Sequence, residues 1–264
     1  SLKMFEINPF AELAVTVPAG IMQGFVIVMI ALVAGGTIFD IIHKGSAKYF
    51  FQRWSREKGL KQRDPGFNEK ISSVAKTTAH DVLTSGEFCN FKRRLAHLLT
   101  MYGFIAYAVA TAVMVFSYPT KDIATPAYWP QIWWLGSAMV CAGGYWFWFF
   151  IRVDVAAEGN SPFRVMRADL FVVSLILSTT FALIWAYSQA VGASYSFVAL
   201  ALYLIATAVL FGSVPWSKFS HMFFKPAAAY QKNLAHLNGG RNHLPAPVDK
   251  PATLGKPERH GHNY

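Results

Sequence analysis

Cysteine is almost missing: Cys89 and Cys141 are the only two in 264 residues. That excludes a disulfide framework, and the pair matches no Cys spacing for zinc or iron–sulfur ligation. Charge is also scarce, at 14% of residues against about 25% in an ordinary soluble domain. The acidic sign is the scarcer one, with 14 Asp and Glu against 24 Lys and Arg. Ahead of the first apolar run stand Glu6 and Glu12 rather than a basic cluster. That run far exceeds the ~7–15 residues of a secretory h-region, so it reads as a retained helix and not as a signal peptide. No inverted repeat and no charge at mid-span is evident, which argues against a transporter.

What is present is apolar surface. Hydrophobic residues make up 54% of the chain and aromatics 16%, with a mean hydropathy of +0.31, which is the composition of an integral membrane protein. About five runs are long enough for a hydrocarbon core that needs about 20 residues per helix. They cover roughly 14–42, 95–117, 131–151, 168–189 and 195–215. The expected fold is an all-α bundle of five transmembrane helices. Tyr118, Tyr128, Trp129, Trp133 and Trp134 crowd one interface, as amphipathic rings do at headgroup level. Gly35-Gly36 and Gly143-Gly144 read as points of close helix packing.

Orientation follows from the cations, which stay on the cytoplasmic side near helix ends. Of the 24 Lys and Arg, 22 fall on one side of the expected spans, leaving only Lys3 and Lys121 on the other. The N-terminus is therefore expected outside and the C-terminus in the cytoplasm. Residues 1–230 form the expected membrane domain, carrying a cytoplasmic interfacial segment at about 43–94 with its own apolar pattern (Ile71, Val74, Ala75, Val82, Leu83). Residues 231–264, with Gly239-Gly240, repeated prolines and four histidines, are expected to be poorly ordered unless a partner holds them. The net charge of +10 has two readings, topology with anionic membrane lipid or a docking surface for an acidic soluble partner; no nucleic acid is expected.

Histidine carries the candidate chemistry. His97 sits where the basic segment around Arg93 and Arg94 turns into the second apolar run, and His221 follows the last run. The orientation puts both at the cytoplasmic depth. Such histidines are functional by default when they lie in the membrane, yet one at a helix end also suits the last carbonyls or a headgroup. Two imidazoles on facing helices are what a six-coordinate b-type haem needs. Arg93, Arg94 and Lys218 are the cations for its propionates, and Phe91, Met101, Phe104, Phe219 and Phe223 are candidate walls. His43, Asp40, His80, Asp81 and Lys218 are polar groups available for quinone chemistry. His43 and His80 also read as plain interfacial groups or as substitute ligands, and Cys89 as a reduced structural thiol.

The ending Pro215-Trp-Ser-Lys-Phe-Ser-His221, the Arg94-Leu-Ala-His97 opening of the second run and Arg167-Ala-Asp169-Leu-Phe before the fourth resemble the gamma subunit of respiratory nitrate reductase. That superfamily comprises five-helix cytochromes b with an outside N-terminus. Within it, Ala79-His80-Asp-Val-Leu, then Cys89, then Arg94-Leu-Ala-His97-Leu-Leu-Thr-Met-Tyr-Gly-Phe104 are most similar to the membrane domain of the quinone-interacting membrane-bound oxidoreductase. A free-standing chain of this length resembles the membrane anchor of adenylylsulfate reductase. The resemblance covers the chain to about Tyr230.

It implies a bacterial cytoplasmic-membrane subunit ligating haem through His97 and His221. It would exchange electrons between a cytoplasmic flavin and iron–sulfur enzyme, adenylylsulfate reductase, and the quinone pool, with sulfite and AMP as the electron source in an oxidiser. Two-haem members of the superfamily carry a second histidine pair, and the corresponding positions here are Tyr107 and Tyr203. The implied cofactor is therefore one haem b, with quinone as an exchangeable partner on the cytoplasmic side. A non-redox anchor that docks the soluble enzyme is the alternative.

Overall fold

The computed structural model describes residues 2–43, 46–86, 90–152, 165, 169–216 and 221–240, and at 2, 46–47, 49 and 221–224 it describes the backbone alone. Among the described residues there is no strand: the chain is an all-α membrane protein. It divides into two compact units, Ser1–Asp40 with Leu95–Ser220, and Ile41–Arg94 with His221–Tyr264.

The first unit is the membrane bundle. Four of its helices are long and apolar enough to cross a bilayer: α2 (Ala19–His43), α5 (Phe91–Ser117), α6 (Tyr128–Trp146, extended as a π-helix to Ile151) and α7 (Leu170–Ala190). α7 is the most enclosed, with 44% of its apolar window buried, whereas α2 has 17% and lies at the periphery. α8 (Ser196–Gly212) is equally apolar but has 17 residues. At 1.5 Å per residue it is about 25 Å long, short of the ~30 Å core.

The helices are packed through small residues and hydroxyls. A Cβ on Gly103 of α5 would lie 2.7 Å from the Gly136 carbonyl of α6, and one on Gly143 would lie 2.7 Å from the Ala96 carbonyl. The two backbones therefore touch, as small residues allow in lipid. α7 and α8 form a hairpin whose turn needs Gly192, held at φ +68. The Ala193 N–H returns to the Ser188 carbonyl (2.8 Å) and caps α7. Ser178 of α7 and Thr207 of α8, both buried, share a 2.7 Å hydrogen bond. Gly36 packs on Val214 and Gly144 on Ile176, whereas Gly35 faces open space and marks no helix contact.

The first apolar run begins later than its hydropathy suggests. Residues 9–13 form a separate short helix, α1 (Pro9–Leu13), because Asn8 caps it: the Asn8 Oδ1 accepts from the N–H groups of Phe10 (3.0 Å) and Ala11 (3.3 Å), and Pro9 takes the first helical position. Asn8 Nδ2 donates to the Tyr118 carbonyl (2.9 Å) and the Thr125 hydroxyl (3.1 Å). Gln189 Nε2 donates to the Pro9 carbonyl (2.8 Å). These bonds turn Phe10 and Leu13 into the bundle, where both are buried.

The second unit contains α3 (Ser46–Gly59), α4 (Phe67–Lys76, continuing as a π-helix Thr77–Leu83) and α9 (His221–Leu237). The Glu69 carboxylate accepts the Gly66 N–H at 2.9 Å and starts α4. α9 runs through residue 231, so the expected loosely ordered tail is helical to Leu237. Its end is capped by Arg63, whose Nε donates to the Leu237 carbonyl at 2.9 Å, and the Asn238 carbonyl accepts the N–H groups of Gln62 and Arg63. Residues 241–264 lie outside the described residues.

Candidate functional site

Asn90 caps α5: its Oδ1 accepts the N–H groups of Lys92 (2.9 Å) and Arg93 (3.4 Å). The face of α5 carrying Ala96, Gly103 and Tyr107 turns to α6. His97, Met101 and Phe104 share a stripe about 100° further round the helix. His97 is exposed, and Phe104 meets Phe211 of α8 with ring centroids 6.3 Å apart. That stripe is an imidazole followed by thioether and aromatic surface, residue types that would suit one side of a haem. The α5–α6 face would not, since backbone fills it.

His221 is placed otherwise than at the end of the fifth apolar helix. α8 stops at Gly212, a 3-10 turn Val214–Trp216 follows, and His221 opens α9. Pro215 has no N–H to continue a helical ladder, which explains the break. His97 belongs to the first unit and His221 to the second. The His221 side chain, Lys218, Phe219, Phe223, Cys89 and Arg167 lie outside the described side chains. Arg93 and Arg94 are half-buried in the first turn of α5, and Arg94 Nε donates to the Thr84 carbonyl at 2.7 Å.

Among the quinone candidates, Asp40 is 3% exposed near the end of α2 and His43 is exposed at its last turn. His80 is exposed and its Nδ1 lies 2.9 Å from Asp81 Oδ1. Asp81 Oδ2 accepts from Asn233 of α9 at 3.0 Å, and Asn233 also reaches the Thr77 hydroxyl at 2.7 Å. Burial pushes the Asp81 carboxyl up, but the hydrogen bonds from His80 and Asn233 outweigh it and leave it below the ordinary carboxylate value. The turn after the π-helix lies against the imidazole. Ser85 is held at φ +50, and a Cβ on Gly86 would lie 2.1 Å from His80 Cε1. This pair is a structural clasp between the π-turn and α9.

Tyr107 and Tyr203 do meet. Both are buried, and the Tyr107 hydroxyl donates to that of Tyr203 at 2.7 Å. Trp185 stacks on Tyr203 (5.7 Å, 17°), Trp133 leans on Tyr107 (5.9 Å), and Phe10 of α1 contacts both tryptophans. The Trp133 indole donates to Thr111 at 3.0 Å. The bundle at this depth is closed by aromatic rings. Sequence reasoning missed the part played by α1; the Asn8-Pro9 pair was its signal. No family model, no curated protein and no solved structure matches this chain.

Proposed function

We propose that this chain is the membrane anchor and electron-transfer subunit of a quinone-linked oxidoreductase in the bacterial cytoplasmic membrane, with one haem b held by His97 and His221. Its partner is a cytoplasmic flavin and iron–sulfur enzyme of the adenylylsulfate reductase kind. The observation that carries the single-haem reading is the buried Tyr107–Tyr203 hydrogen bond with Trp133 and Trp185 around it. Side chains occupy the depth at which the resemblance would put a second porphyrin.

The fifth span is α8 together with the turn through Trp216. Adding a 3-10 turn at about 2.0 Å per residue brings its length to about 31 Å, enough for the hydrocarbon core. Five spans with 22 of 24 cations on one side favour an outside N-terminus.

The residues divide the work. The His97 and His221 imidazoles would hold the iron of that haem, and Met101 and Phe104 would exclude water beside it. Arg93, Arg94 and Lys218 would meet its propionates. A bound haem supplies one-electron transfer between a two-electron donor and quinone. Asp40 and His43, at the cytoplasmic end of α2, exchange the protons that quinone chemistry requires. The basic second unit holds the acidic face of the partner.

A reduced-minus-oxidised spectrum of the purified protein tests this, with the expected haem-to-protein ratio near one. His97→Ala and His221→Ala should each abolish the α band, and His43→Ala and His80→Ala should keep it. Absence of an α band in the wild type leaves a non-redox anchor, and a ratio near two refutes the part given to Tyr107 and Tyr203. Retention of the soluble partner on membranes should weaken as salt shortens the Debye length below ~10 Å.

A further inference from the structure

The second unit contains a cleft of about 440 Å³ between α3, the 60–66 link and α9, lined by Trp54, Lys58, Lys61, Lys70, Tyr230 and Gln231. This is within the size range of small-molecule clefts. Gln231 is 5% exposed, and its Nε2 is sealed from solvent with no acceptor among the described residues. A buried amide donor without an acceptor is costly, and native folds leave few of them. Gln231 lines the cleft, so a turn of its side chain would bring Nε2 to a ligand oxygen there.

The rim supplies the opposite charge. Asp64 holds Lys61 (3.4 Å) and Lys70 (3.3 Å) side by side. Both pairs are exposed, so they are weak and both ammoniums can turn to a stronger acceptor. Lys58 adds a third cation. The one other carboxylate in the lining, Glu57, is engaged by Arg53 at 3.1 Å. Lysine acts as a point charge suited to phosphate, and Trp54 with Tyr230 offers aromatic surface to an organic group.

From this we infer that the cleft is a binding site for an organic phosphate, whose oxygens take Gln231 Nε2 and the Lys58, Lys61 and Lys70 ammoniums while its carbon portion lies against Trp54 and Tyr230. The phosphate belongs either to a lipid headgroup or to a soluble phosphomonoester. Nothing in this inference depends on haem.

The test uses the full chain in neutral detergent. Native mass spectrometry compares retention of phosphatidic acid with that of diacylglycerol, which differs only by the phosphate, and calorimetry measures glycerol 3-phosphate. At least tenfold preference for phosphatidic acid identifies a lipid source, and binding of glycerol 3-phosphate identifies a soluble one. Whichever binds should weaken at least tenfold in Gln231→Leu, whose thermal midpoint without ligand should be unchanged or raised because a buried donor has been removed. Lys58→Gln, at an exposed position that folding tolerates, should weaken it several-fold. The proposal is overturned if neither ligand binds, or if the bound ligand is held by Gln231→Leu or Lys58→Gln as tightly as by the wild type.

Discussion

The hydroxyls of Tyr107 on α5 and Tyr203 on α8 lie 2.7 Å apart in a part of the bundle where both side chains are buried. Two residues 96 apart in the chain thereby join their helices by a polar contact inside an apolar core. The contact holds only if both helices keep their rotation.

Removing one hydroxyl leaves the other without this partner. Tyr203→Phe and Tyr107→Phe should each destabilise the bundle by about 1–3 kcal/mol. The double variant should be less costly than the sum of the two, giving a coupling of about 0.5–3 kcal/mol. Unfolding of all four proteins in detergent measures it, and strict additivity would refute the contact.

Gly103 is one of the tightest points of the α5–α6 contact, where a Cβ would meet the Gly136 carbonyl at 2.7 Å and Met139 Cβ at 2.8 Å. Backbone cannot yield as a side chain can. Gly103→Ala should therefore cost about 1–3 kcal/mol, whereas Gly35→Ala, with nothing within 4 Å, should be neutral or stabilising by up to about 1 kcal/mol. Thermal midpoints of the two variants rank them, and equal midpoints would refute the difference.

Asn8 holds α1 through both ends of its amide. Asn8→Ala should cost about 1–2 kcal/mol and expose the segment from Leu2 to Leu13 to protease. Phe10→Ala, which empties a buried ring, should cost about 3–5 kcal/mol. Limited proteolysis that finds α1 equally protected in Asn8→Ala would remove the cap from the account.

The carboxyl of Asp81 is held below its ordinary value of 3.8. A depressed folded value means that the carboxylate contributes stability above the unfolded value and loses it as pH falls through the folded one. Amide protection of α9 and the π-turn should therefore drop as pH is lowered below about 4. Asp81→Asn should cost about 1 kcal/mol at neutral pH and remove its share of that acid dependence. Asp64 and Glu69, also held low by Lys70 with Lys61 and by the Gly66 N–H with Arg63, keep theirs. An Asp81→Asn profile identical to the wild type would refute the clasp.

The helical class and the membrane spans were legible because each depends on residues near one another in the chain. The runs expected at 95–117 and 168–189 correspond to α5 and α7 within a few residues. The run expected from residue 14 starts at Ala19 instead, since hydropathy does not register that Asn8 and Pro9 build a separate helix. His221 looked like the end of the last apolar helix. A single proline and a 3-10 turn put it on α9.

By itself the sequence determined that this chain lies in a membrane and where its apolar helices run, because burial in lipid is summed over local composition. Tertiary structure alone decided that Tyr107 faces Tyr203, that α1 inserts Phe10 among Trp133 and Trp185, and that Gln231 is buried without an acceptor for its Nε2 among the described residues. Those outcomes depend on the rotation of each helix against its neighbours. That rotation is set by where glycine lets backbones touch and where hydroxyls find partners, and no stretch of sequence carries it alone.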